Sequence, residues 1–152
     1  MRILMVCLGN ICRSPLADGL LRKKIAKKEL DLVIDSAGTC DNHVGQSPDK
    51  RMTETAKSFG TDISSLKARQ FSQRDFDEFD IIYVMDKSNL KNVLSLARNQ
   101  EEIAKVKLIL DETHPNQGLE VPDPYFGGNQ GFIDVYKMLD EATDQILKNI
   151  TT

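Results

Sequence analysis

Arg2-Ile3-Leu4-Met5-Val6-Cys7-Leu8-Gly9-Asn10-Ile11-Cys12-Arg13-Ser14-Pro15-Leu16 is the stretch from which the rest of the chain can be read. Arg2 to Val6 is an apolar run of a length that suits a buried strand. Leu16, Leu20, Leu21 and Ile25 then recur at helical period. Ser14-Pro15 places a capping hydroxyl before a proline suited to the first helical position. A strand, a short connection and a helix in that order open a βαβ unit.

The alternation continues along the chain. Leu32 to Asp35, Ile81 to Met85 and Val106 to Leu110 read as three more core strands. Helical spacing returns at Met52, Ala56 and Phe59, at Leu90, Val93, Leu94 and Ala97, and from Phe132 through Tyr136, Leu139 and Ile146 to Ile150. Ser47-Pro48 predicts the start of the second helix and Gly60 its stop. Ser72-Gln73-Arg74-Asp75 has a capping-box pattern, with Phe71 and Phe76 placed as its hydrophobic staple. Strands alternating with helices imply right-handed crossovers, hence a four-stranded parallel sheet with helices on both faces. The longest irregular stretch, Asp111 to Asn129, holds Pro115, Gly118, Pro122, Pro124, Gly127 and Gly128. Loops of that length in small domains are functional or disordered.

With 152 residues, 40% of them hydrophobic, the chain is expected to form a single domain over residues 1–152. The net charge of −3 arises from 20 basic and 23 acidic residues mixed along the sequence, so no basic stripe is offered to nucleic acid. The first apolar run is cut by Gly9, Asn10 and Arg13 before a secretory core could form, and no stretch approaches a membrane span. A soluble, cytoplasmic protein without membrane partners is expected. Cys7, Cys12 and Cys40 are an odd set with no CxxC pair, which fits neither a disulfide framework nor a zinc site. In a reducing compartment the sequon Asn149-Ile150-Thr151 is a chance match.

Ligands of doubly wound sheets bind beyond the carboxyl ends of strands, where Cys7 to Ser14 lies. Gly9 and Asn10 tolerate positive φ, so the backbone can curl until its N–H groups form an anion nest, reinforced by the helix start at Ser14. Amides, helix end and Arg13 together favour a Cys7 thiolate. Arg13 offers a planar fork for two phosphate oxygens and for charge developing on them. Ser14 is placed to hydrogen-bond the sulfur. A merely buried Cys7 and a merely superficial Arg13 would leave Gly9, Asn10 and Ser14-Pro15 unexplained. Neither GxxxxGK[ST] nor GxGxxG is present, which sets the glycine-rich nucleotide loops aside.

Cys7 to Ser14 matches the Cys-x5-Arg-Ser loop of the low-molecular-weight protein tyrosine phosphatases, and the chain resembles that family along nearly its whole length. The likeness runs through Asp35-Ser36-Ala37-Gly38-Thr39, Ser47-Pro48-Asp49, Ala68-Arg69-Gln70, Met85-Asp86-Lys87-Ser88-Asn89-Leu90 and Asp123-Pro124-Tyr125. The resemblance implies a flavodoxin-like three-layer α/β/α fold of the phosphotyrosine phosphatase I type. It also implies hydrolysis of phosphotyrosine and small aryl phosphates through a phosphocysteine on Cys7, without cofactor or metal. Arg13 would bind phosphate, and Asp123 would protonate the leaving oxygen and then activate water. Leu8, Gly9, Asn10, Ile11, Cys12 and Ser14 would line or shape the phosphate site, and Tyr125 and Phe126 would wall the cleft. Asn10, Ser14, Ser36 and Asp86 would support the loop, with an Asp35 to Arg69 ion pair nearby. Substrates would be phosphotyrosine-containing proteins or small aryl phosphates, met by a monomer.

Two departures from the pattern bear on specificity and loop support: Asp41-Asn42-His43 stands where some members carry a tryptophan, and Leu66 where some carry a loop-supporting histidine. The resemblance makes Cys12 a resolving thiol for oxidised Cys7, and so implies redox regulation, whereas burial as filler is the ordinary role of such a residue. Cys40 is expected to be passive, and His43 and His114 to be loop residues, not metal ligands. An arsenate reductase of the same fold would need further cysteines in a later segment, and Ile81 to Leu94 has none. A phosphate-binding module without turnover would not need both Cys7 and Asp123.

Overall fold

The computed structural model describes residues 1–126 and 128–151, Phe126 by its backbone alone, so the expectation for the Phe126 side chain lies outside the described residues. Its strands are β1 (Arg2–Cys7), β2 (Val33–Gly38), β3 (Ile81–Val84) and β4 (Val106–Leu108). They pair in parallel in the order β2-β1-β3-β4. The helices are α1 (Arg13–Lys27), α2 (Lys50–Ser58), α3 (Arg74–Glu78), α4 (Lys87–Leu94), α5 (Gln100–Lys105) and α6 (Asn129–Thr151).

Side chains alternate across a strand, and β1 divides its own residues accordingly. Ile3, Met5 and Cys7 face a core completed by α1, α2 and α6, while Leu4 and Val6 face one built from Phe71, Phe76, Phe79 and Val93. Burial on both faces makes these strands continuously apolar. From β1 the chain crosses to β2 on one flank, and from β3 to β4 on the other. The carboxyl ends of β1 and β3 therefore border the topological switch point at which such sheets bind ligands.

Several boundaries differ from expectation. β2 continues past Asp35 because Ser36, Ala37 and Gly38 pair with Met5, Val6 and Cys7, and β4 gives way after Leu108 to a 3₁₀ turn over Ile109–Asp111. Ser14 is not the cap of α1: the helix begins at Arg13, and the Ser14 hydroxyl is turned to the preceding loop. At α2 the cap is Asp49, whose Oδ1 accepts from the N–H groups of Arg51 at 2.8 Å and Met52 at 3.3 Å, while Ser47 binds Lys67. Its carboxylate satisfies two orphan donors where a hydroxyl would satisfy one. Around α3 only half of the capping box forms, the Asp75 carboxylate accepting from Ser72 N–H at 2.9 Å. The Phe71–Phe76 staple is an edge-to-face contact at 5.3 Å. Gly60, at φ +89°, ends α2 in the left-handed conformation.

Candidate active site

The connection from β1 to α1 is folded tightly against its neighbours. The carbonyls of Cys7, Leu8 and Ile11 accept hydrogen bonds from the backbone N–H groups of Thr39 (2.9 Å), Cys40 (3.0 Å) and Asp49 (2.7 Å). These bonds pin the loop against the segment that follows β2 and the one that precedes α2. Asn10 takes the left-handed conformation at φ 57°, which brings its N–H to 3.3 Å from Cys7 Sγ. Ser14 Oγ stands 3.0 Å from the same sulfur.

The Asn10 side chain fixes that arrangement from behind. Its Nδ2 donates to Ser14 Oγ at 2.7 Å and Ser36 Oγ at 3.0 Å, and its Oδ1 accepts from Arg69 N–H at 3.0 Å. Both amide protons are spent, so the hydroxyl proton of Ser14 has two acceptors, the sulfur at 3.0 Å and the Ala37 carbonyl at 3.4 Å. Arg69 is itself held by Asp35 at 3.1 Å and Asp75 at 2.9 Å. Leu66 is partly buried against the α1 side of the core; loop support here comes through Asn10 and the Arg69 backbone.

Arg13 is only 2% exposed and enters the cleft from the first turn of α1. Its Nη1 donates to Asp86 Oδ2 at 2.7 Å and to the Val121 carbonyl at 2.9 Å, and its Nη2 lies 3.6 Å from Asp123 Oδ2. Burial disfavours the guanidinium charge, but the Cys7 sulfur and then Asp86 outweigh it and raise the Arg13 pKa. Asp86 is placed by its own role as the cap of α4, with Oδ1 accepting from Asn89 N–H at 2.8 Å.

Asp123 projects from the long loop before α6, its Oδ1 accepting from Tyr125 N–H at 3.0 Å. Arg51 ties that loop to α2: its Nη2 donates to the Tyr125 carbonyl at 2.9 Å, and its guanidinium lies 5.4 Å above the Tyr125 ring and 4.7 Å above that of Phe132.

These parts enclose a cavity of about 160 Å³. Cys7, Leu8, Gly9, Ile11, Cys12 and Arg13 form its floor, and Asp123 and Tyr125 one wall. Asn10 and Ser14 stand behind the floor and do not line the cavity. The opposite wall is Cys40, Asn42 and His43, so Cys40 and His43 are not the bystanders their residue types suggest. A Cβ on Gly9 would come within 2.9 Å of His43 Cδ2, and the ring, held by Gln46 at 3.0 Å, faces Tyr125 at 6.5 Å. Asn42 and His43 lie in the stretch that the family resemblance marked as bearing on specificity, whereas nothing in the sequence signals Cys40; their place follows from the extension of β2 to Gly38. The Cys12 thiol is pushed up by burial first, and further by Asp49, Cys7 and Asp123. Among the described residues no group of three or more His, Cys, Asp or Glu side chains is gathered as a metal site.

Residues 2–152 match the family model described as low molecular weight phosphotyrosine protein phosphatase. The chain belongs to this family. A Synechocystis relative named as a low molecular weight protein-tyrosine-phosphatase is 45% identical over 152 residues, covering 99% of this chain and 96% of its own length. The crystal structure of a protein tyrosine phosphatase from Entamoeba histolytica, with Hepes in its active site, superposes with a TM-score of 0.92 at 37% identity, over 99% of this chain and 97% of that one. A Drosophila arginine phosphatase superposes with a TM-score of 0.92 at 31% identity, over 100% of this chain and 99% of that one.

The protein is thus a low-molecular-weight protein tyrosine phosphatase, built on the four-stranded parallel sheet just described. Its loop tolerates no side chain at Gly38, where a Cβ would lie 2.8 Å from Leu8 O and 3.0 Å from both Asn10 N and Gly9 C. Backbone atoms cannot swing aside as a side-chain tip can. Gly38→Ala is expected to lower stability by about 1–3 kcal/mol and to reduce kcat/KM, read by urea denaturation and by steady-state kinetics.

Proposed function

We propose that the Cys7 thiolate attacks the phosphorus of an aryl phosphate bound in the loop, forming an S–P bond as the P–O bond to the aryl group breaks. Asp123 gives its proton to the departing oxygen, then takes one from a water that attacks the phosphocysteine and releases inorganic phosphate and the thiolate. Charge on the transferring group is met by Arg13 and the amides of the loop, without need of a metal. The observation that carries this reading is the convergence on one sulfur of the Asn10 N–H at 3.3 Å and the Ser14 hydroxyl at 3.0 Å, beside a buried guanidinium. Donors placed there stabilise sulfur as it arrives and as it leaves. All the named groups come from a single chain, so a monomer suffices.

A phosphate held by Arg13 Nη2 takes the edge that now faces Asp123 at 3.6 Å, leaving the carboxyl to the leaving group. Asp123→Asn is expected to slow release of poor leaving groups by about 10²–10⁴-fold and of good ones far less. A uniform loss across a series of substituted phenyl phosphates would take the acid role away from Asp123.

Tyr125, 39% exposed on the cleft wall, offers a ring face to the substrate phenyl group. Phosphotyrosine in proteins fits that wall better than phosphoarginine, the substrate class suggested by the Drosophila neighbour. Side-by-side kcat/KM values on phosphotyrosyl and phosphoarginyl peptides decide between them. Reversible oxidation belongs to the same reading: peroxide converts Cys7 to a sulfenic acid, and condensation with Cys12 releases water and closes a disulfide. Burial holds the Cys12 thiol in its protonated form, which slows that condensation. A reducing, cytoplasmic setting suits a nucleophile that must stay a free thiol.

A further inference from the structure

Asp123 lies outside any strand or helix, between Val121, whose N–H binds the Met85 carbonyl at 2.8 Å, and the start of α6 at Asn129. The turn Asp123-Pro124-Tyr125 is closed on itself by the bond from Tyr125 N–H to Asp123 Oδ1 at 3.0 Å. Pro124 fixes one of the backbone angles within it. The carboxyl therefore goes where the Tyr125 backbone goes.

Arg51, in the first turn of α2, reaches that backbone across the chain. Its Nη2 donates to the Tyr125 carbonyl at 2.9 Å. Its guanidinium covers the Tyr125 ring at 5.4 Å and, at 4.7 Å, the ring of Phe132, which is fully buried in the first turn of α6. The guanidinium is oriented by Asp49, whose Oδ2 accepts from Nη2 at 3.3 Å and whose Oδ1 accepts from Nε at 3.4 Å. Asp49 is in turn pinned to the phosphate-binding loop, since its N–H donates to the Ile11 carbonyl at 2.7 Å. A path of hydrogen bonds thus runs from the loop that holds Cys7, through Asp49 and Arg51, to the turn that holds Asp123.

We propose that Arg51 is a positioning residue for proton transfer: oriented by Asp49, it fixes the Asp123 carboxyl relative to the phosphate-binding loop. This rests on Asp123 being the general acid. Arg51 is not among the residues that line the cavity, so it acts through the turn and not on the substrate. A planar fork suits the task, because its edge can serve a carbonyl and a carboxylate while its face covers a ring. Misplacing a reacting group by about 1 Å costs on the order of 10²-fold. Freedom in this turn costs most where the departing oxygen most needs its proton.

The test is kcat/KM, which reports formation of the phosphocysteine, across phosphate esters from phenyl to dinitrophenyl. The proteins are the parent, Arg51→Ala, Asp123→Asn and the double variant, with inhibition by inorganic phosphate and melting temperatures measured alongside. Arg51→Ala should lose about 10–10²-fold on phenyl phosphate and less than about twofold on the dinitrophenyl ester, with phosphate inhibition kept within about twofold. In the Asp123→Asn background the same substitution should cost less than about twofold on every ester, because no acid is left to place. A merely structural Arg51, holding α2 to α6, would instead lower every ester equally and would do so in both backgrounds. Either of those results, or an Arg51→Ala series that superposes on the parent's, overturns the proposal. Should Arg51→Ala not fold, Arg51→Gln is read by the same criteria. Failure of the underlying reading looks different: Asp123→Asn alone would then lower the whole series equally, and the proposal would fall with it.

Discussion

Cys7→Ser is expected to lower kcat/KM for aryl phosphates by about 10⁴-fold or more while leaving the fold in place. The exchange is nearly isosteric, and Cys7 is buried at the end of β1 with only 3% exposure, so the strand pairing and core have no reason to move. The chemistry does. The Asn10 N–H, the Ser14 hydroxyl and the Arg13 guanidinium suit a sulfur anion. An alcohol does not ionise under the same influence, and it is a poorer leaving group from the phosphoenzyme. Steady-state kinetics together with circular dichroism check both halves.

The second large effect is expected at Arg13. Arg13→Ala should cost about 10²–10³-fold or more in kcat/KM, the scale of losing a preorganised donor to a developing anion, and about 3–5 kcal/mol of stability. The stability loss follows from what the guanidinium leaves behind: Asp86, hydrogen-bonded at 2.7 Å, and the Val121 carbonyl at 2.9 Å. Arg13→Lys restores a positive charge but not a fork able to hold Asp86, Val121 and two phosphate oxygens at once. It should recover stability more than rate. Denaturation midpoints and competitive inhibition by inorganic phosphate separate the two.

What the sequence made legible was local. The run Arg2 to Val6, the nest-forming Gly9 and Asn10, and the arginine after them lie within one strand-loop-helix unit, where chain order and spatial order coincide. β2 was legible only to Asp35, since Ser36, Ala37 and Gly38 owe their strand to pairing with Met5, Val6 and Cys7, a tertiary contact that no propensity reports. Family resemblance alone pointed to Asp41-Asn42-His43 as a stretch bearing on specificity, and the same blind spot hid the share of Cys40 in that wall. Ser14 and Ser47 looked like caps because hydroxyls before prolines commonly are. Ser14 instead serves the loop, and Asp49 takes the place of Ser47. The role of Arg51 in holding the Asp123 loop could not be read either, since the Arg51–Tyr125 contact spans 74 positions.

The most direct test of the account is rapid acid quench of the Asp123→Asn variant turning over an aryl phosphate labelled on phosphorus, followed by peptide mapping. With a good leaving group such as p-nitrophenolate, which departs with little acid help, loss of the Asp123 base role slows hydrolysis of the phosphocysteine more than its formation, so the covalent species should build up. The account predicts label on the peptide that carries Cys7, appearing in a burst and lost in Cys7→Ser. Turnover by the parent enzyme with no label on that peptide, or label that survives Cys7→Ser, would contradict it.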